Sequence, residues 1–211
     1  MKPRVARLFA GSVVAMMWAG APTATAQTAS AVTAGAPSAE TKWVVDMVHS
    51  QVDFGVRHLV GQVRGTFDRW YAVLVMDGSD WKFGKVNVSV QTASLNTGNS
   101  YRDADLRSDR FFAATRYPKM TFEGTGFAVA DSTVDVHGIL TIKGRSKPVT
   151  LSGRYRGIAR GSDGRERIAF QVTGAVDRRD FGISWNEMVG GTELIGNNVD
   201  ITIGIEAVRV N

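Results

Sequence analysis

From Trp43 onward the chain alternates apolar and polar residues with a period of two. KVNVSVQT, residues 85–92, sets Val86, Val88 and Val90 against Lys85, Asn87, Ser89 and Gln91. NVDITIGIE, 198–206, repeats the pattern with Val199, Ile201, Ile203 and Ile205. Successive side chains of an extended chain point to opposite faces, so this period predicts half-buried β-strands. STVDVHGILTIKG, KMTFEG, RIAFQVTGAV and WYAVLVM are further strands by alternation or by β-branched and aromatic content. DGSD at 77–80, ADS at 130–132 and GSDG at 161–164 separate them as turns. Pro118 and Pro148 each stand before an apolar run, a position a strand tolerates.

One stretch breaks the period. In SYRDADLRSDRFFAA, Ser100 and Asp103 form a capping pair, Asp103 and Arg107 are i,i+4 partners, and Leu106, Phe111 and Phe112 supply an apolar end. The residues therefore predict an all-β domain of about eight antiparallel strands with one helical insertion, arranged as a barrel or a sandwich. The absence of internal repeats and of a second compositional regime favours a single domain over residues 41–211.

The N-terminus follows other rules. Lys2, Arg4 and Arg7 precede the apolar run LFAGSVVAMMWAGA, and Ala24-Thr25-Ala26 fits a cleavage site, so residues 1–26 read as a signal peptide cleaved near Ala26. Residues 27–40, rich in Ala, Thr and Ser without aromatics, read as a flexible leader. The mature chain is then periplasmic or secreted, with no transmembrane span. Its formal charge falls from +5 to +2 when the three signal-peptide cations are removed. The remaining Lys and Arg are scattered among acids, which argues against a nucleic-acid partner. The chain has no cysteine. That excludes thiolate metal sites, thiol catalysis and disulfides, and a chain of this length can bury a core without them.

Candidate chemistry centres on HSQVDFGVRHL, 49–59, with Asp46 just upstream. His49 and His58 differ by an odd number of positions, and nine residues of strand span roughly 30 Å. They cannot share a metal on a regular strand. A hydrolase triad needs a relay and an oxyanion hole, which geometry and not sequence closeness reveals, and no nucleophile elbow accompanies Asp46, His49 and Ser50. Their expected role is local bonding where a strand begins or bends. His58 shares parity with Val52, Phe54 and Val56, which predicts a hydrogen-bonded core or cavity histidine. His137 lies opposite Val136 and Leu140 and is expected to be exposed. GTG at 124–126 is too short for a dinucleotide fingerprint, and GGTELIGNN at 190–198 reads as a mobile loop leading into a strand. No cofactor, metal or catalytic residue is expected.

WVVDMVHSQVDFGVRHLVGQVRGTF resembles the opening signature of the YceI-like family, with an aromatic residue, D-x-x-H-S, an alternating strand ending in R-H, and G-x-F. SLNTGNSYRDADLRSDRFFAATRYPKMTF, HGILTIKGRSKPVTL, RRDFGI and NNVDITIGIEA follow in the family's order. The resemblance runs from about Trp43 to the C-terminus. It implies a lipocalin-like β-barrel holding a polyisoprenoid, such as an isoprenoid quinone, or a similar long amphiphile. It brings no established chemistry for Asp46, His49, Ser50 or His58.

The residues themselves fit such a barrel, whose interior eight strands can just fill or leave open for one ligand. Val52, Phe54, Val56, Val86, Val88, Val90, Phe122, Leu140, Ile142, Phe170 and Ile201 are candidate lining residues by face, with His58 among them. Phe111 and Phe112 cap the mouth or, in the preferred reading, dock the helix. The expected function is an exported lipid carrier, not an enzyme. The alternatives are a lipid-acting enzyme using His58 and a ligand-free, stress-related interaction domain. Exposed strand edges would allow a homodimer.

Overall fold

The structure, a computed structural model, describes residues 40–77 and 80–210. The expected signal peptide and the leader up to residue 39 lie outside the described residues. The strands are β1 (Glu40–Val45), β2 (Gln51–His58), β3 (Gly61–Phe67), β4 (Trp70–Asp77), β5 (Asp80–Gln91), β6 (Leu95–Asn96) and β7 (Lys119–Ala130). They continue with β8 (Thr133–Ile142), β9 (Arg145–Arg160), β10 (Glu166–Asp177), β11 (Met188–Val189), β12 (Thr192–Glu193) and β13 (Ile195–Arg209). Helix α1 (Ser100–Arg107) is inserted between β6 and β7, and 3₁₀ turns occupy Thr92–Ser94 and Arg178–Phe181.

Neighbouring strands pair antiparallel in the order β1-β4-β5-β7-β8-β9-β10-β13, and β13 pairs back onto β1, closing an eight-stranded barrel. Three of its staves are broken. β1 and β2 both lie along β13, with residues 46–50 looping out opposite only 205–206. The D-x-x-H-S stretch is this break. Asp46 accepts from Val48 N at 3.0 Å and from His49 Nδ1 at 3.0 Å, while Ser50 Oγ donates to Glu206 O and accepts from Glu206 N. The breaks between β3 and β4 and between β5 and β6 lie side by side. There Ser94 Oγ accepts from Arg69 N at 3.0 Å and donates to Gln91 O at 2.7 Å. Side-chain oxygens thus replace ladder partners where the ladder is interrupted.

β9 is the longest strand, and alternation does not reveal it. Its inward positions include Gly153, whose Cβ would stand 1.9 Å from Gln171 O, so only glycine permits this approach to β10. Pro148 pairs with Ile139 of β8 at a level that the β10 ladder, which starts at Ser152, does not reach. Its missing N–H therefore breaks no bond on that side.

Helix α1 forms where the sequence predicts it, with a different cap. Asn99, not Ser100, is the N-cap, its side chain accepting from Arg102 N at 3.0 Å. Asp103 is buried and accepts from Thr97 N and Thr97 Oγ1, at 3.0 and 2.6 Å. Arg107 donates to Ala93 O and Leu95 O, so the expected Asp103–Arg107 pair does not form. The helix is tied to the β5–β6 break through side chains that a surface reading would assign to solvent. Ser100 is the first helical residue, and Asn99 before it is extended, as a following proline requires. Ser100→Pro should leave stability within about 0.5 kcal/mol, while Leu106→Pro should cost about 3 kcal/mol or more. Asp103→Pro should also be severe, since it removes the Thr97 acceptor and the Asp103 N–Asn99 O bond. Urea unfolding of the three variants checks this ranking.

Candidate functional site

Trp43, Leu74, Val134, Ile168 and Ala207 are buried together at the end of the barrel where β1 begins, forming a packed floor. Above it the packing opens. Phe54, Val88, Leu140, Ile142, Val149, Ile201, Ile203 and Ile205 all belong to the core, yet each is only partly buried. Their exposed faces look into a cavity of about 580 Å³ inside the barrel. That volume lies within the range of small-molecule sites.

All twelve candidate residues, from Phe54 and Val56 to Phe170, lie on the cavity wall, as do Val52 and Ile201. β2 contributes Phe54 and Val56, and β5 contributes Val86, Val88 and Val90. Phe122 comes from β7, Leu140 and Ile142 from β8, and Phe170 from β10. Phe111 and Phe112 occupy the turn after α1. Phe112 sets its ring edge-on to Phe67 at 6.1 Å, Phe111 packs on Trp185 at 5.4 Å, and both line the cavity.

His58 meets expectation only in part. It has the parity of Val56 but stands at the last position of β2, exposed on the rim, where no wall continues beyond it. Among the described residues it has no hydrogen-bonded acid. His137 is exposed, with Nδ1 3.0 Å from Thr150 Oγ1. The His49 cluster lies on the outer wall near the floor end. Asp46, His49 and Glu206 bring ligand-type atoms within 4.8 Å of one another, but Arg167 Nε already holds Glu206 at 3.2 Å.

The hydrogen bond and charge of Asp46 hold the His49 imidazole above its ordinary 6.5, and His49 in turn holds Asp46 below 3.8. A raised histidine pKa adds stability that is complete below about 6.5 and fades as pH rises through the shifted value. A lowered carboxylate pKa adds stability that fades as pH falls below about 3.8. The pair therefore works best between these limits. In an NMR titration His49 should have a midpoint above 6.5, and Asp46→Asn should return it to the ordinary range. An unchanged midpoint would mean that the contact does not persist in solution.

Arg178 is the residue sequence reasoning missed. It belongs to RRDFGI, follows β10 and is 5% exposed. Nε donates to Gly196 O, Nη1 to Ile183 O and Trp185 O, and Nη2 to Ile195 O and Asn197 Oδ1, at 2.7 to 3.4 Å. Burial lowers its pKa below the ordinary guanidinium value, while Glu193 and Asp177 act in the opposite sense. Asp177, itself held down to about 2 by Arg179, caps the 3₁₀ turn that carries Arg178. Asn186 completes the arrangement, donating to Ile195 O and accepting from Ile195 N. One buried guanidinium thus closes the segment 183–197 over one side of the cavity. Three adjacent charged residues in RRD look solvent-bound, and no period in the sequence marks the middle of a turn as internal.

The opening lies between the β2–β3 turn, α1 and the 183–195 segment, with Arg57, His58, Tyr101, Arg102, Asp105 and Trp185 around it. Below that ring the wall is almost entirely aliphatic and aromatic. The site can therefore accept a long apolar chain with its polar end at the rim. Among the described residues it brings together no nucleophile, relay and oxyanion hole.

Residues 43–207 match the YceI-like domain. Protein YceI of Shigella flexneri is 33% identical over 166 residues, covering 76% of this chain and 82% of that protein. Protein YceI of Salmonella arizonae is 31% identical over 180 residues, covering 84% and 91%. The YceI protein of Campylobacter jejuni superposes with a TM-score of 0.64 at 32% identity, over 74% of this chain and 90% of that one. Two more distant structures share the fold. BcnA of Burkholderia cenocepacia has a TM-score of 0.68 at 21% identity, covering 77% of this chain and 98% of that one. A polyisoprenoid-binding domain from Saccharophagus degradans has 0.59 at 17%, covering 79% and 97%. The protein belongs to the YceI-like family.

Proposed function

We propose that this protein is an exported bacterial carrier that holds a polyisoprenoid, or a similar long amphiphile such as an isoprenoid quinone, inside its barrel. The observation that carries this reading is the set of half-buried apolar side chains around an open cavity of about 580 Å³. A barrel built only for stability would close that space, since protein interiors pack to crystal-like density. Such an apolar wall offers no grip to a sugar or a peptide, and it suits a chain whose transfer from water is driven by burial. The polyisoprenoid-binding domain of the same fold supports the ligand class, and the signal-like N-terminus and the bacterial relatives support export to the periplasm.

A catalytic reading is less well supported. His58 stands on the rim without an acid bonded to it, and binding needs none of the relay that hydrolysis would require. The test is direct. Protein purified from a periplasmic fraction, extracted with organic solvent and analysed by mass spectrometry, should release a long-chain isoprenoid in near-stoichiometric amount. Folded protein that releases no lipid, and takes up none when offered a polyprenyl alcohol in detergent, would overturn the proposal.

A further inference from the structure

Of the ten exposed large apolar side chains among the described residues, four surround the mouth, while Met47, Val48 and Val210 lie toward the floor end. Val60 is fully exposed at the tip of the β2–β3 turn, Tyr101 is 90% exposed in the first turn of α1, and Met188 is 62% exposed on β11 with Val189 beside it. All four stand at the end of the barrel where the cavity opens. Single exposed apolar residues are ordinary, but a group of them around one opening is not. The structure also holds them there. Leu59 N donates to Leu194 O at 2.9 Å, Arg57 Nη1 reaches Glu193 O, and His58 pairs with Ile195, which joins the Val60 turn to the β11–β12 flap. The flap turns on Gly190 and Gly191, both at positive φ, the conformation of the tightest hairpins. It is a built projection that keeps Met188 and Val189 in water.

Cations lie at the same end. Arg116 and Lys119 sit beside the β8–β9 turn, where Tyr117 touches Gly144, and that turn carries Lys143, Arg145 and Lys147. Lys147 is 3.8 Å from Asp180 and half-buried Lys143 donates Nζ to Asp109 O at 3.0 Å, while Arg116, Lys119 and Arg145 are exposed and make no ion pair among the described residues. At the opposite end the charges are matched. Asp163 binds Arg165 and Arg167, and Glu166 binds Arg160 and Arg209.

We propose that the mouth end of the barrel docks on an anionic phospholipid bilayer, with Val60, Met188 and Val189 entering the headgroup region and Arg116, Lys119 and Arg145 meeting lipid phosphates. Apolar anchors beside surface cations are the combination that binds reversibly to such an interface. Docking in this pose would bring the opening against the bilayer, so a ligand could pass in or out without crossing water. That consequence rests on the carrier reading; docking itself does not.

The test uses the mature protein and vesicles of equimolar phosphatidylcholine and phosphatidylglycerol, read by co-sedimentation. Wild type should bind, and added salt should weaken binding. The double variant Val60→Asp, Met188→Asp should bind at least about tenfold more weakly, as should Arg116→Ser combined with Lys119→Ser. Val48→Asp, an equally exposed position near the floor end, should bind like wild type. No binding by wild type, or equal losses in Val48→Asp and the double variant, would overturn docking. Uptake of a polyprenyl alcohol from detergent, measured in parallel, separates the two readings: uptake without vesicle binding defeats docking alone, and absence of uptake defeats the carrier.

Discussion

Arg178→Met should destabilise the protein by about 3 kcal/mol or more and make the segment 183–197 sensitive to protease. Arginine there presents five N–H donors, and all five are used, four of them on backbone carbonyls of a single segment. A methionine of similar length fills the space but returns none of those bonds. Each buried acceptor left unpaired costs about 1–3 kcal/mol, reduced where water from the adjoining cavity can reach it. Arg178→Lys should recover only part of the loss, because an ammonium cannot span the fork of acceptors that a planar guanidinium fits. Urea denaturation with limited proteolysis reads both quantities. A loss below about 1 kcal/mol would show that solvent already satisfies these carbonyls and that the segment does not depend on Arg178.

The difference between what was legible and what was not follows from how each residue is used. The strands of KVNVSVQT and NVDITIGIE were legible because one face meets the interior and the other meets water, so burial writes a period into the sequence. The same parity grouped the candidate lining residues by face, but it did not say which face of each strand is the interior one. β9 was hidden because close approach to β10 requires Gly153, and glycine contributes nothing to an apolar period. The β1–β2 break was only half visible. Asp46, His49 and Ser50 suggested local bonding, but not that both flanking segments lie along one partner, β13. His58 lines the cavity at its rim and not in its depth, because parity fixes a face and not a depth, and the strand ends where that face meets solvent. Arg178 and the Asp103–Thr97 contact left no sequence signal, since charged residues bonded to backbone look like any other polar loop.

Parity also selects the variant that best separates a hollow barrel from a filled one. Val88 lies between Ala72 of β4 and Phe122 of β7 in the ladder, and all three face inward. Its strand neighbours on that face, Val86 and Val90, are 5% and 7% exposed, whereas Val88 is only partly buried and borders the cavity. The space beside it is therefore the space that the proposed ligand would occupy. Val88→Trp would push an indole into that space without disturbing the backbone pairing on either side. Overpacking a filled core costs about 1–3 kcal/mol, but a side chain that enters a void gains contacts and meets none of that resistance. The expected result is a folded variant with Tm within about 2–4 °C of wild type, equivalent to about 1 kcal/mol at this size, that no longer co-purifies with lipid. The same substitution at Val134, 1% exposed in the packed floor, should behave in the opposite way, losing several times as much stability. Equal destabilisation at the two positions, from a wild type that carries no extractable lipid, would mean that the barrel is solid in solution and does not act as a carrier.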